Sequence, residues 1–206
     1  MYSVPMALVD FLPVCFFGLA AYILQKDLYS KMSKGAYALF CAGTIDVFMA
    51  GFLKALYKLL YALNICDFEP LTKMFFPVQA LGFMMCGVAV ACMLRLKQGK
   101  NVAYAAAPVL YSGTMIFVMF MVMGVISFDT GLAAVALKMK KKGCAVLLAF
   151  SCFAALTMGY LSSKDFTNPM FNWIGEAINT LGQFALFYAV RKLDKAGLSE
   201  FNLKGE

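Results

Sequence analysis

The chain has 206 residues, of which 63% are hydrophobic and 14% charged, and its mean hydropathy is +0.78. Soluble domains carry roughly 45–50% apolar and about 25% charged residues, so a single core of this size could not hide so much apolar side chain from water. That excludes a soluble enzyme, a disordered regulator and a disulfide-stapled secreted domain, and it makes lipid the solvent. The 18 Lys+Arg against 11 Asp+Glu give a net charge of +7. In a membrane chain these cations read as cytoplasmic-side anchors rather than as a nucleic-acid surface.

The first apolar run, 6–25, is preceded by no Lys or Arg and followed by Lys26, Lys31 and Lys34. It therefore reads as an uncleaved span with its C-terminal end in the cytoplasm. Further runs cover 36–60, 74–94, 143–161 and 170–190, each near the ~20 residues that a crossing needs. The stretch 102–137 is apolar throughout. At ~1.5 Å per residue it is about 54 Å of helix, nearly two crossings with almost no loop.

Charge placement decides how to divide it. Besides Lys26, Lys31 and Lys34, cations cluster at Arg95, Lys97 and Lys100, at Lys138 to Lys142, and at Arg191, Lys192 and Lys195. Only Lys54, Lys58, Lys73 and Lys164 fall towards the other side. Keeping all four clusters in the cytoplasm requires an even number of crossings between 100 and 138. The expected fold is thus an all-α integral membrane protein with seven transmembrane helices, N-terminus outside and C-terminus inside. The helices lie near 6–28, 36–60, 72–95, 99–112, 114–138, 143–162 and 169–191, with a tight outer turn near Ser112-Gly113-Thr114. Residues 1–193 form one transmembrane domain and 194–206 a short polar cytoplasmic tail. The alternative is six helices with 128–140 as a half-helix at the interface. A multi-pass protein of an inner or plasma membrane follows from either.

An internal repeat favours seven. Lys34-Gly35 recurs as Lys142-Gly143, and Ala50-Gly51-Phe52-Leu53 as Met158-Gly159-Tyr160-Leu161 at the same offset. Two parallel three-helix units joined by a fourth helix give a 3+1+3 layout, similar in architecture to small seven-helix sugar and vitamin carriers. Microbial rhodopsins share the helix count, but their retinal needs a lysine in mid-helix 7, and no lysine stands between Met170 and Val190.

Polar residues inside lipid are costly and usually face a bundle interior, a cavity or a partner. Asn172, Glu176, Asn179 and Gln183 lie at i, i+4, i+7 and i+11, within about 60° of one another on one helix face. Asp46 sits in mid-helix, where a carboxylate costs roughly 2.5–3.5 kcal/mol on insertion scales. Lys54 and Lys58, one turn apart, either attract anions or snorkel to head groups. Asp10 and Gln79 lie in the outer half of their helices beside Pro13 and Pro77, prolines that free an i−4 carbonyl and permit a bend. These nine polar residues outline an outward vestibule tapering to a central site. Trp173, Tyr2, Tyr57 and Tyr61 suit an aromatic belt, and Gly18, Gly51, Gly82 and Gly87 suit close helix packing.

The absence of histidine removes Ser-His and Cys-His dyads and imidazole ligation. Seven cysteines without CxxC spacing read as small hydrophobes, and Met115, Met119, Met121 and Met123 read as packing rather than thioether ligands. No cofactor and no metal are expected. The function expected is a transporter or channel for a small polar or anionic solute, proton-coupled through Glu176 or Asp46. The alternatives are a lipid-acting hydrolase using a carboxylate pair from Asp10, Asp46 and Glu176, and a sensor or assembly partner without chemistry. The lipid bilayer, a small-molecule solute or lipid, and a second copy of the chain are the partners this reading allows.

Overall fold

The computed structural model describes residues 3–95, 114–161 and 169–203, and among these all regular structure is helical. The predicted helix over 99–112 lies outside the described residues, as do Lys97, Lys100, Lys164 and Tyr2. The described residues form eight helices: α1 (Val4–Val9), α2 (Phe11–Leu28), α3 (Lys34–Ala62), α4 (Pro70–Lys73), α5 (Phe75–Arg95), α6 (Thr114–Lys138), α7 (Lys142–Leu161) and α8 (Pro169–Lys195). Among them, five stretches are long and apolar enough to cross a membrane: Val4–Leu28, Lys34–Ala62, Pro70–Arg95, Met115–Lys138 and Lys142–Gly159. This is the composition of a helical membrane protein. The outer surface agrees, with Tyr22, Ile45, Val146, Phe153 and Leu181 each more than half exposed. The long α8 is the exception in hydropathy, because its polar stripe dilutes the apolar face.

Two prolines set the breaks in the first and third spans. Pro13 has no N–H for the carbonyl of Val9 and its ring crowds that carbonyl. The ladder of α1 stops at Val9, and Asp10 stands at the junction where α2 begins. Pro77 does the same to Lys73, where α4 ends, and α5 starts two residues later. Three helices end with a residue at positive φ: Asn64 after α3 (55°), Lys140 after α6 (57°) and Gly197 after α8 (83°). At Gly197 the N–H of Leu198 bonds the carbonyl of Leu193 at 3.1 Å and that of Gly197 bonds Asp194 at 2.9 Å. That pair of bonds turns the chain sharply off the helix.

The long helices pack as a closed ring in the order α2, α3, α5, α6, α7, α8 and back to α2. Side-chain pairs give the relative directions. Between α2 and α3, Gly18 meets Phe48, Gly51 meets Val14, and Gln25 bonds Thr44, so those helices are antiparallel. Between α3 and α5, Gly43 abuts Gly82 and Lys54 reaches Phe75, again antiparallel. Between α5 and α6 the register rises on both: Gly124 abuts Phe83, Gly87 abuts Ser127, and Gly131 abuts Val90. Thus α5 and α6 are parallel, and Arg95 and Thr114 stand at opposite ends of the bundle. Helices α2 and α8 are also parallel, since Phe16 stacks on Phe187 and Lys26 pairs with Asp194.

These directions collect Lys26, Lys31, Arg95, Lys138, Lys142, Arg191 and Lys195 at one end of the ring, and Asp10, Lys58 and Glu176 at the other. Helix α6 runs unbroken to Lys138, so the alternative of a separate interfacial half-helix over 128–140 does not hold. Gly131 within it is spent on close contact with Val90, whose Cγ1 occupies the space that a Cβ would need. Asp129 is buried mid-helix in α6.

The segment that follows α8 docks on the bundle. Leu198 and Leu203 are buried in the common core, with Phe201 packed against it. Lys31 Nζ donates to the carbonyls of Ser199 (3.0 Å) and Phe201 (2.7 Å), and Lys138 Nζ to that of Leu203 (2.9 Å). Burial against this segment pushes the Lys31 ammonium below its ordinary pKa. Tyr57 departs from the belt expectation: it is buried and donates to Asp67 Oδ1 at 3.0 Å.

Candidate functional site

Glu176 lies on the inward face of α8 and is buried, while Trp173, Ile174, Leu181 and Phe184 on the other face are exposed. Ala185, by period an outward residue, is buried as well. The inward stripe points Glu176 at α3. There Lys58, also buried, places Nζ 3.0 Å from Glu176 Oε1 and 2.5 Å from Asp10 Oδ2. The helix break at Asp10 brings that carboxylate to the same ammonium. Lys58 therefore does not snorkel: with two carboxylates in reach, pairing inside outweighs a solvated head group. Asp10 and Glu176 thus share one ammonium. Glu176 Oε2 is buried with no hydrogen-bond partner among the described residues.

Beside this triad lies a cavity of about 50 Å³. Asp10, Lys54, Gln79, Asn179 and Gln183 supply its polar wall, and Pro13, Phe17, Val47 and Phe75 are part of its apolar wall. Four helices thus contribute, α2, α3, α5 and α8, together with the Asp10 junction. Lys54 Nζ sits 4.1 Å from the centroid of the Phe75 ring. It makes no ion pair among the described residues. Gln183 Oε1 is buried without a partner among the described residues. Asn172 lies one turn nearer the start of α8 than Glu176, half-buried, and engaged in an interaction of its own.

Of the nine residues singled out in the sequence, Asp10, Lys54, Gln79, Asn179 and Gln183 share this cavity, and Lys58 and Glu176 join it through Asp10. Asp46 does not. It is half-buried on α3, outside the cavity lining, and no residue described bonds it; Thr44 is taken up by Gln25 and by the carbonyls of Phe40 and Cys41. Two buried carboxyls lie outside the nine. Asp129 on α6 is 3% exposed with Oδ1 unpartnered, and Asp27 near the end of α2 is 1% exposed with both oxygens unpartnered among the described residues. A lone Asp inside an unbroken apolar run is the available sequence signal for Asp129. Asp27 is masked by the lysines around it, which give it the look of a solvated loop residue.

Among the described residues no group of three or more Cys, Asp or Glu converges as a metal site. All seven cysteines are free thiols. Met115, Met119 and Met123 lie on an exposed strip of α6. The chain matches no protein-family profile, no curated protein and no solved structure.

Proposed function

We propose that the protein is a multi-pass membrane transporter for a small polar or anionic solute, which enters through the cavity beside Lys58. The observation that carries this is the convergence of five polar side chains, drawn from three helices and a helix junction, on one cavity with two unsatisfied polar atoms next to it. A structural hydrogen-bond network closes on itself; buried polar groups left without partners call for water or a ligand.

The topology that accompanies this reading has seven crossings, the cavity opening to the outside and the basic end in the cytoplasm. The parallel run of α5 and α6 supports it, because a chain leaving at Arg95 must return to the far end to start α6. The ring order supports a 3+1+3 repeat: α2, α3, α5 and α6, α7, α8 meet in the same sequence of neighbours. Gly43 against Gly82 in the first unit has its counterpart in Ser151 and Ala154 against Gly182 in the second. A plasma or inner membrane fits the charge distribution.

One observation favours a second reading. Asp10 and Glu176 form a close carboxylate pair, as a lipid-acting hydrolase would need for acid and base roles. Lys58 engages both, which stabilises them as counter-ions and opposes use of either as a base.

Solute uptake into proteoliposomes, screened across pH, tests transport. Glu176→Gln should abolish the pH response of the flux. Flux and pH response that survive the substitution, or a protein that passes no solute, would refute the mechanism. Hydrolysis of lipid by the same vesicles would favour the second reading.

A further inference from the structure

Among the described residues the charges around the cavity sum to zero: Asp10 and Glu176 against Lys54 and Lys58. Only three of them are in contact. Lys58 is held by both carboxylates, whereas Lys54 faces the cavity over the Phe75 ring with no carboxylate within 4.0 Å among the described residues. A cation over an aromatic face is a partial solution to burial, attractive by about 0.5–2 kcal/mol. Its three donors remain open to an acceptor that the described residues do not supply.

We propose that this cavity binds a small monocarboxylate through Lys54, and that the Asp10–Glu176 pair takes up one proton with each anion. The inference rests on the cavity being the solute site and specifies what that site takes.

Size comes first. The cavity is small, about 50 Å³, and suits a solute of only a few non-hydrogen atoms. Acetate is of that size. Shape and chemistry come next: Lys54 and the amides of Gln79, Asn179 and Gln183 offer donors, and Val47, Phe17 and Phe75 offer an apolar wall for a methyl group.

The proton follows from the charge sum. An anion that engages Lys54 leaves Asp10 and Glu176 with Lys58 alone, a net negative charge within a low-dielectric bundle. Such an uncompensated charge is strongly disfavoured. A proton from the outer solution removes it. Glu176 Oε2 is buried and unpartnered among the described residues, and Asp10 lies on the same Lys58 ammonium as Glu176 Oε1, so the two carboxylates are neighbours. Among the described residues Lys58 contacts Glu176, Asp10 sits on the same ammonium, and Lys54 lies one turn from Lys58 on α3. Anion and proton thus enter together as a neutral pair, with Lys58 retained as the fixed counter-ion.

Isothermal titration of the purified protein in lipid nanodiscs tests this with acetate, acetamide and ethylammonium chloride as probes. Repeating the acetate titration in two buffers of different ionisation enthalpy counts the protons taken up. Acetate should bind, acetamide and ethylammonium should not, with about one proton taken up per acetate. Acetate affinity should then fall about tenfold per pH unit on the alkaline side of the pair's titration. Lys54→Met should weaken acetate at least tenfold, and Lys54→Arg should keep it. Glu176→Gln should still bind acetate, with no proton uptake and no pH slope. Acetate binding without proton uptake, or undiminished in Lys54→Met, overturns the proposal. Binding of acetamide or ethylammonium in place of acetate overturns it while leaving the cavity as a solute site. Failure of all three to bind overturns both.

Discussion

Lys58 Nζ and Glu176 Oε1 stand 3.0 Å apart across a separation of 118 residues, and Asp10 meets the same ammonium from the α1–α2 junction. One cation thereby ties three parts of the bundle at the end opposite the basic clusters. Removing one member of a buried ion pair leaves its partners charged and unpaired, at a cost of about 3–5 kcal/mol. Lys58→Met should lower the unfolding midpoint in detergent by an amount of that order. Adding Asp10→Asn and Glu176→Gln to Lys58→Met should return most of the loss, because neutral amides need no counter-ion. A single Lys58→Met as stable as the parent would show that the pairs carry no weight.

The glycines at helix crossings make a different claim, about volume. A Cβ on Gly124 would lie 2.5 Å from the backbone nitrogen of Met84, and one on Gly82 would lie 2.8 Å from the carbonyl oxygen of Gly43. These neighbours are backbone and cannot rotate away. Gly124→Ala and Gly82→Ala should each destabilise by about 1–3 kcal/mol through forced separation of the helices. Gly143, near the start of α7, meets nothing within 4 Å. Gly143→Ala should be neutral or stabilise by up to about 1 kcal/mol, the difference in helix propensity. Thermal unfolding of the three variants in one detergent decides the matter, and equal effects would refute the packing argument.

The docked C-terminal segment yields a third expectation. Leu198 is fully buried, and Lys31 holds two carbonyls of the residues that follow it. Leu198→Ala should cost about 2–5 kcal/mol, the range for truncating a buried leucine. Lys31→Met should leave the carbonyls of Ser199 and Phe201 without that donor and should speed proteolysis after Gly197. Proteolysis rates identical to those of the parent would mean that the segment is held by its leucines alone.

The α8 stripe is legible in the sequence because four polar residues on a 3.6-residue period inside an apolar run mark one helix face set apart from lipid. The helix breaks at Asp10 and Met74 are foreshadowed by Pro13 and Pro77, each acting on the carbonyl four residues back. The fate of Lys58 is not readable. A lysine near a helix end either snorkels or turns inward, and the choice depends on Asp10 and Glu176, which only tertiary structure brings to it. The docking of the tail is hidden for a compositional reason: Leu198, Phe201 and Leu203 are few among polar neighbours. Gly197, in position for a helix stop, is the local sign that the chain turns back there. Asp46 is singled out by intramembrane depth alone, and depth does not place a side chain in this cavity, whose lining it does not join.

The parallel packing of α5 and α6 bears most directly on how the chain crosses the membrane. Phe83 with Gly124 and Val90 with Gly131 rise together along both helices, so the end of α5 and the start of α6 cannot share a face of the bilayer if both helices span it. In a cysteine-depleted background, Arg95→Cys should react with a membrane-impermeant thiol reagent only after permeabilisation, together with Lys140→Cys. Thr114→Cys should react in intact cells, as should Cys66, exposed beyond α3, when it is the single native cysteine restored. This pattern needs an odd number of crossings overall and one further crossing between 95 and 114. Labelling of Arg95→Cys and Thr114→Cys from the same side would refute the seven-crossing topology. It would also remove the argument that places the cavity on the outer face.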